Sequence, residues 1–158
     1  MSTLVPKAEW LAGLPQVVAV GSMLVTDDDG LMLLVKVSYG SCTWQFPGGW
    51  LDLGESPAVC AERELAEETG LNCQATGLLA VMWSIPTEST GGRAVVQFLF
   101  DAGKVPAGAP VRLQDSELSE ARWVRPAEAM RLLDVDRGAW LKAALRAAEG
   151  EPSQVLVR

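Results

Sequence analysis

Residues 48–71 read GGWLDLGESPAVCAERELAEETGL. Six carboxylates, Asp52, Glu55, Glu62, Glu64, Glu67 and Glu68, share this stretch with one arginine, Arg63. The punctuation is helical. Ser56 is a good N-cap, Pro57 takes the first helical position where it forfeits no hydrogen bond, and Gly70 closes the C-terminus, so the stretch predicts a helix over 57–69. Ala58, Ala61, Leu65 and Thr69 make a narrow face of small and apolar side chains, suited to close packing on a sheet. Positions three and four apart share a face, so Glu64, Glu67 and Glu68 project together. Like charges at this spacing destabilise a bare helix by roughly 0.2–0.5 kcal/mol per pair. One account is a solvated acidic face. The other is a site for a hard divalent cation, Mg²⁺ or Mn²⁺, which prefers such oxygen donors and turns the repulsion into attraction.

Around this stretch the chain has the bulk of a single α/β domain. It is 158 residues long, 49% apolar and 21% charged, enough to fill one core and too short for two ordinary ones. The domain is expected to span 1–158, with a core over about 17–150 and residues 151–158 as a tail, the alternative being an edge strand at QVLV. A net charge of −7 gives no general attraction for DNA, RNA or anionic membranes, so neither a nucleic acid polymer nor a membrane is expected as a partner. No apolar run approaches the roughly 18 residues of a membrane span. Cys42, Cys60 and Cys73 lack metal-ligand spacing, and no secretory segment opens the chain, which together suggest a soluble protein of the reducing cytoplasm. There is no histidine, which removes the usual general base and the Ser/His and Cys/His nucleophile systems.

Along the chain, residues 7–13 predict a short helical turn, and 17–25 and 31–37 a hairpin closed by Asp27-Asp28-Asp29-Gly30. Residues 39–43 read as loop, and Trp44-Gln45-Phe46 as a short extended piece halted by Pro47-Gly48-Gly49. Residues 75–85 and 93–102 predict a second hairpin, 117–124 a further strand, and PAEAMRLL and GAWLKAALRAAEG, from Pro126 and Gly138, helices.

The acidic stretch closely resembles the Nudix box: glycine, five residues, glutamate, seven residues, then Arg-Glu-(apolar)-x-Glu-Glu-x-Gly-(apolar). Gly49, Glu55, Arg63, Glu64, Leu65, Glu67, Glu68, Gly70 and Leu71 meet the nine defined positions in register. Asp52 stands where many members carry another glutamate. The resemblance implies the family's fold, a mixed β-sheet sandwiched between α-helices. It implies Glu64, Glu67 and Glu68 as ligands of two or more Mg²⁺ or Mn²⁺ ions, with Gly48 adding a backbone carbonyl. Glu55 and Arg63 would order the loop and helix, and Glu64 is a candidate base.

The activity implied is hydrolysis of a nucleoside diphosphate linked to a further moiety, by attack of water on phosphorus. The family often recruits another acid from outside the box; Glu117 is the leading candidate, with Glu88 and Glu120 behind it, and an ordinary surface glutamate is the alternative for each. Tyr39, Trp44, Phe46, Trp50 and Trp83 are candidates to stack on a nucleobase, or else pack in the core. Arg93, with Lys36 and Arg112, is a candidate for phosphate contact, against simple solvation.

For the substrate, nucleoside triphosphates or modified nucleotides lead. Pro86, fifteen residues after Leu71, resembles the ADP-ribose pyrophosphatase subgroup and keeps ADP-ribose or a nucleotide sugar as an alternative. WQFP is similar to the RNA 5′-end pyrophosphohydrolases, but their extra glutamine within the glycine motif is absent. A Nudix-fold module that senses a nucleotide without turnover is the alternative from another class. Homodimers are common in the family, and a homodimer is a further expectation.

Overall fold

The computed structural model describes residues 7–40, 43–114 and 116–158. Part of the loop read at 39–43, including Cys42, therefore lies outside the described residues. The elements run α1 (Lys7–Ala12), β1 (Val17–Asp27), β2 (Met32–Val37), β3 (Trp44–Gln45), β4 (Gly48–Trp50), α2 (Pro57–Thr69), β5 (Gly77–Ser84), β6 (Ala94–Val105), β7 (Leu118–Val124), α3 (Pro126–Leu132), α4 (Val135–Ala148) and β8 (Gln154–Val157), with a 3₁₀ turn at Glu88–Thr90.

The sheet is mixed. Its order is β3-β2-β1-β6-β5-β8, with β4 added on β1 and β7 on β2. The first hairpin forms across Asp27, whose carboxylate accepts from the backbone N–H of Asp29 (3.0 Å) and Leu31 (2.8 Å) and so pins the turn. Beyond the pair Thr26–Met32 the two strands part: β1 pairs in parallel with β6 and antiparallel with β4, while β2 takes β7 and β3. The second hairpin, β5 with β6, is antiparallel as expected.

Helices cover both faces, as expected of the fold. Alternation along β1 sends Met23 and Val25 to a core shared with Ala61 and Leu65 of α2, and Leu24 to a core shared with Trp140, Leu141 and Ala144 of α4. Helix α2 has the bounds expected: Ser56 Oγ accepts from Val59 N, and Gly70, at φ 73°, closes the last turn. Its approach to the sheet is unusually close. A Cβ at Gly21 of β1 would overlap Pro57 O and Ala61 N, both backbone atoms that cannot swing away.

Three expectations change. The Gly48-Gly49 pair, read as a stop, begins β4, because its backbone pairs with Gly21 and Ser22 of β1. Helix α4 starts at Val135 instead of Gly138, because Asp134 caps it by accepting from Arg137 N at 2.7 Å. The expected tail, 151–158, contains β8, since Gln154–Val157 adds in parallel to the open edge of β5. Among the described residues no helix is long and apolar enough to cross a membrane.

The tight seat of α2 sets a test in which two rules disagree. Strand propensity favours valine over glycine, yet Gly21→Val should lower stability by about 1–3 kcal/mol through overpacking. A urea denaturation midpoint equal to or above the wild-type value would show that the close approach is not required.

Candidate active site

Each of the six carboxylates has a definite place. Asp52 stays in solvent, 3.9 Å from the Arg63 guanidinium. Glu62 accepts from Ala75 N at 2.8 Å and fastens the chain that follows α2. Glu55, Glu64 and Glu67 all turn onto Arg63. Its Nε and Nη2 hold Glu55 in a fork at 2.9 and 3.0 Å, and its Nη1 reaches Glu64 at 2.8 Å and Glu67 at 3.1 Å. A further bond runs from Nη2 to Trp50 O at 3.2 Å, so all five guanidinium donors are used. Glu55 in turn accepts from Asp52 N, closing the loop before α2. Its hydrogen bond from Arg63, then that from Asp52 N, hold its carboxyl down at about 2.

Glu68 points the other way. It is 3% exposed and accepts from Gly48 N at 2.8 Å. Burial pushes its carboxyl up to about 8; the Gly48 bond opposes this, and the charges of Glu64, Glu117 and Glu67 add to it. Glu64 is shifted upward as well, by burial first, with Arg63 opposing. A Cβ at Gly49 would overlap the Glu64 carboxylate, which would then have to leave its place beside Arg63.

Two outside segments complete this end. Arg112 N donates to Thr69 O and Gln114 N to Glu68 O, which lays the strand-like approach to β7 along the end of α2. Glu117 N then bonds Gln114 O, and Ser38 N bonds Glu117 O. This brings Glu117 and Tyr39 beside the acidic helix, close enough that Glu117, Glu68 and Glu64 raise the Tyr39 hydroxyl's pKa after burial has done so.

These groups line one end of an open cleft of about 920 Å³, within the usual range for small-molecule sites. Tyr39, Gly48, Arg63, Glu64, Glu67, Glu68 and Glu117 all line it, and Trp50 joins them. Glu55 lies behind Arg63 rather than in the wall. Glu88 and Glu120 are not in the lining; Glu120 is held by Arg122 on β7 at 2.6 Å.

The remaining stacking and phosphate candidates are placed elsewhere, and strand alternation is the reason for the aromatic ones. Gln45 lines the cleft, while its neighbours Trp44 and Phe46 are core residues, 8% and 2% exposed. Phe46 packs edge-on against Trp140, and Trp44 lies under Arg122. Ser84 lines the cleft, while Trp83 sits between Val96 and Val157 in the sheet. Arg93, Arg112 and Lys36 are outside the lining. Arg137 and Arg158 are inside it and were missed. The Asp134 cap was the signal for Arg137, since an earlier start to α4 puts it in the first turn; Arg158 depends on the pairing of β8 and had no local signal.

The donor set suits a hard divalent cation. It is all oxygen, and Glu68 is a buried carboxylate that a nearby cation would ionise. Among the described residues no group of three or more acidic or thiol side chains is arranged to hold an ion, and Arg63 bonds the oxygens of Glu64 and Glu67. A metal ion bound through Glu64 and Glu67 would compete with Arg63 for those atoms.

The chain is similar to known proteins in sequence and in fold. A model of the NUDIX domain matches residues 15–145. A MutT-like protein of Streptomyces ambofaciens is 31% identical over 131 residues, 77% of this chain and 78% of that protein. An RNA pyrophosphohydrolase of Blochmanniella floridana is 38% identical over 55 residues, covering 32% of this chain and 35% of its own length. In fold, the MutT protein from Methanosarcina mazei Go1 is similar with a TM-score of 0.73 at 23% identity, over 85% of this chain and 97% of that one.

Removing the shared cation tests the arrangement. In chelated protein, Arg63→Met should cost about 1.5–3 kcal/mol by leaving carboxylates unpaired, and millimolar Mg²⁺ should recover part of that loss by mass action. Equal melting temperatures of variant and wild type in chelator would overturn the role given to Arg63.

Proposed function

The chain belongs to the Nudix hydrolase family, and on that premise we propose that it is a Mg²⁺- or Mn²⁺-dependent pyrophosphohydrolase of small nucleotides, cleaving a nucleoside diphosphate from a further group by attack of water on phosphorus. The observation that carries this reading is the gathering of Glu64, Glu67, Glu68 and Glu117 at one end of a cleft of nucleotide size. Such an acidic wall repels a bare pyrophosphate and accepts one that arrives with cations.

Glu64, Glu67 and Glu68, with the Gly48 backbone, would hold the divalent ions. Bound there, the ions supply charge for the pyrophosphate oxygens and lower the pKa of a coordinated water. The chain's own residues do the rest. Arg63, forked onto Glu55, fixes the loop and the helix that carry the ligands. Glu64 or Glu117 takes the proton of the attacking water; both line the cleft, and Glu117 hangs from a segment bonded to the end of α2. Tyr39 and Trp50 flank the same end as aromatic walls.

A small nucleotide is favoured over an RNA end. The charge of −7 offers an RNA chain no attraction. Within small nucleotides, nucleoside triphosphates and their modified forms lead over ADP-ribose and nucleotide sugars. A cytoplasmic setting is consistent with the free thiols of Cys60 and Cys73.

An assay of phosphate and pyrophosphate release across a nucleotide panel with Mg²⁺ is the direct test; no release from any member would overturn the enzyme reading. Glu67→Gln should cut turnover by about a hundredfold or more, the scale seen when one stabilising group is removed from an active site. It should also reduce the rise in melting temperature that Mg²⁺ produces. A Glu67→Gln protein with wild-type turnover would show that Glu67 is not a ligand.

A further inference from the structure

The two ends of the cleft differ in charge. At the α2 end the lining carries Asp52, Glu64, Glu67, Glu68 and Glu117 with one guanidinium, that of Arg63. At the other end, Arg137 is paired with Asp134, and Arg158 with Asp136 at 3.0 Å, so two cations cancel two anions. The side-chain charges of these two pairs balance, and this end is dense in hydrogen-bonding groups. Gln45, Ser84 and Gln97 line it beside the two arginines.

Arg158 organises this end. Its backbone belongs to the β8 ladder: Arg158 N donates to Trp83 O at 3.0 Å, and Ile85 N donates to Arg158 O at 3.1 Å. The side chain then crosses from the sheet to α4, with Nε on Ser84 Oγ at 2.7 Å and Nη1 on Asp136. Gln97 Nε2 also donates to Ser84 Oγ, at 3.3 Å, and Arg137 Nη2 donates to Gln45 Oε1 at 3.4 Å. These bonds leave Gln97 Oε1 as an acceptor and Gln45 Nε2 as a donor. Gln45, Gln97 and Arg137 also wall a niche of about 40 Å³, roughly the space of one water molecule. Trp140 lines this niche too, and its indole N–H is buried without a hydrogen-bond partner among the described residues.

We propose that this charge-balanced end is a nucleobase subsite, in which the Gln45 and Gln97 amides read the edge of the base and Arg158, delivered by β8, is the positioning residue that holds the reading surface together. The inference rests on the pyrophosphohydrolase reading for the placement of the phosphates at the acidic end. A terminal phosphate would gain little at the far end, where each guanidinium already has its carboxylate. An uncharged heterocycle that offers both donors and acceptors matches the unused amide groups, and mispairing there leaves buried polar groups unsatisfied, which is the physical basis of strong discrimination.

The test compares ATP, GTP, CTP and UTP with ribose 5-triphosphate, which carries the same phosphates and no base. Steady-state kinetics and, independently of turnover, thermal-shift titrations are run on wild type, Arg158→Ala, Arg158→Lys and Gln97→Leu. The expected result is that at least one base-bearing nucleotide binds wild type tenfold or more tightly than ribose 5-triphosphate. Arg158→Ala and Gln97→Leu should erase that advantage, the loss falling on KM rather than kcat, and Arg158→Lys should restore part of it. Because β8 is held through backbone bonds, Arg158→Ala should keep the strand in place.

Equal binding of base-bearing and base-less triphosphates by wild type, an equal loss for both in the variants, or no nucleotide binding at all would overturn the subsite. Base-dependent binding without phosphate release would support the subsite and overturn the hydrolase reading. Release without base dependence would do the reverse.

Discussion

One guanidinium balances the acidic helix. Arg63 spends all five of its donors within a single turn of space, on Glu55, Glu64, Glu67 and Trp50 O, and it is the only cation in the 24 residues that supply six carboxylates. Its planar fork holds Glu55 in two bonds, which a lysine could not reproduce. Loop and helix are tied at this point, so the residues on α2 keep fixed positions relative to β4. A point charge shared in this way is also what a divalent ion would replace, and Arg63 is in that sense the resident cation of the site.

The same region shows how packing sets chemistry. Because Gly21 lets α2 sit on β1 without an intervening side chain, the C-terminal half of the helix is pressed against β4. Gly49 then has no room for a Cβ beside Glu64, and Gly48 N meets Glu68. Glu68 is buried by this geometry and not by its own chemistry, and its raised pKa follows from the burial. The strain of confining carboxylates is concentrated where a cation would relieve it, while Glu62, on the same helix, is satisfied by Ala75 N and takes no part.

Much of the architecture could be read locally. The cap at Ser56, Pro57 at the first helical position and Gly70 at the end gave α2 its bounds, because capping is a matter of adjacent residues. Both hairpins followed from turn residues and β-branched runs. The start of α4 was a local cap overlooked at Asp134. The Gly48-Gly49 stop and the preference for a tail over an edge strand at QVLV have another cause, which is that a backbone segment takes its identity from a distant partner. Gly48-Gly49 pairs with β1, and residues 154–157 pair with β5, and neither partner is visible from the segment itself. Of the aromatic candidates Tyr39 and Trp50 line the cleft, while Trp44, Phe46 and Trp83 are turned from it by parity, since Gln45 and Ser84 beside them face it.

The sequence by itself determined the chemistry of the acidic end. Residue type and helical spacing place Glu64, Glu67 and Glu68 on one short helix with Arg63, and the absence of histidine removes the usual general base and metal ligand. Tertiary structure decided which oxygens face one another, that Glu68 is buried while Glu67 is exposed, and that Glu117 rather than Glu88 or Glu120 reaches the cleft. It also decided the opposite end, where β8 and the first turn of α4 bring Arg158 and Arg137 to Ser84 and Gln45. Charge and period act over three or four residues and are written locally, whereas burial and cleft walls arise from pairings tens of residues apart.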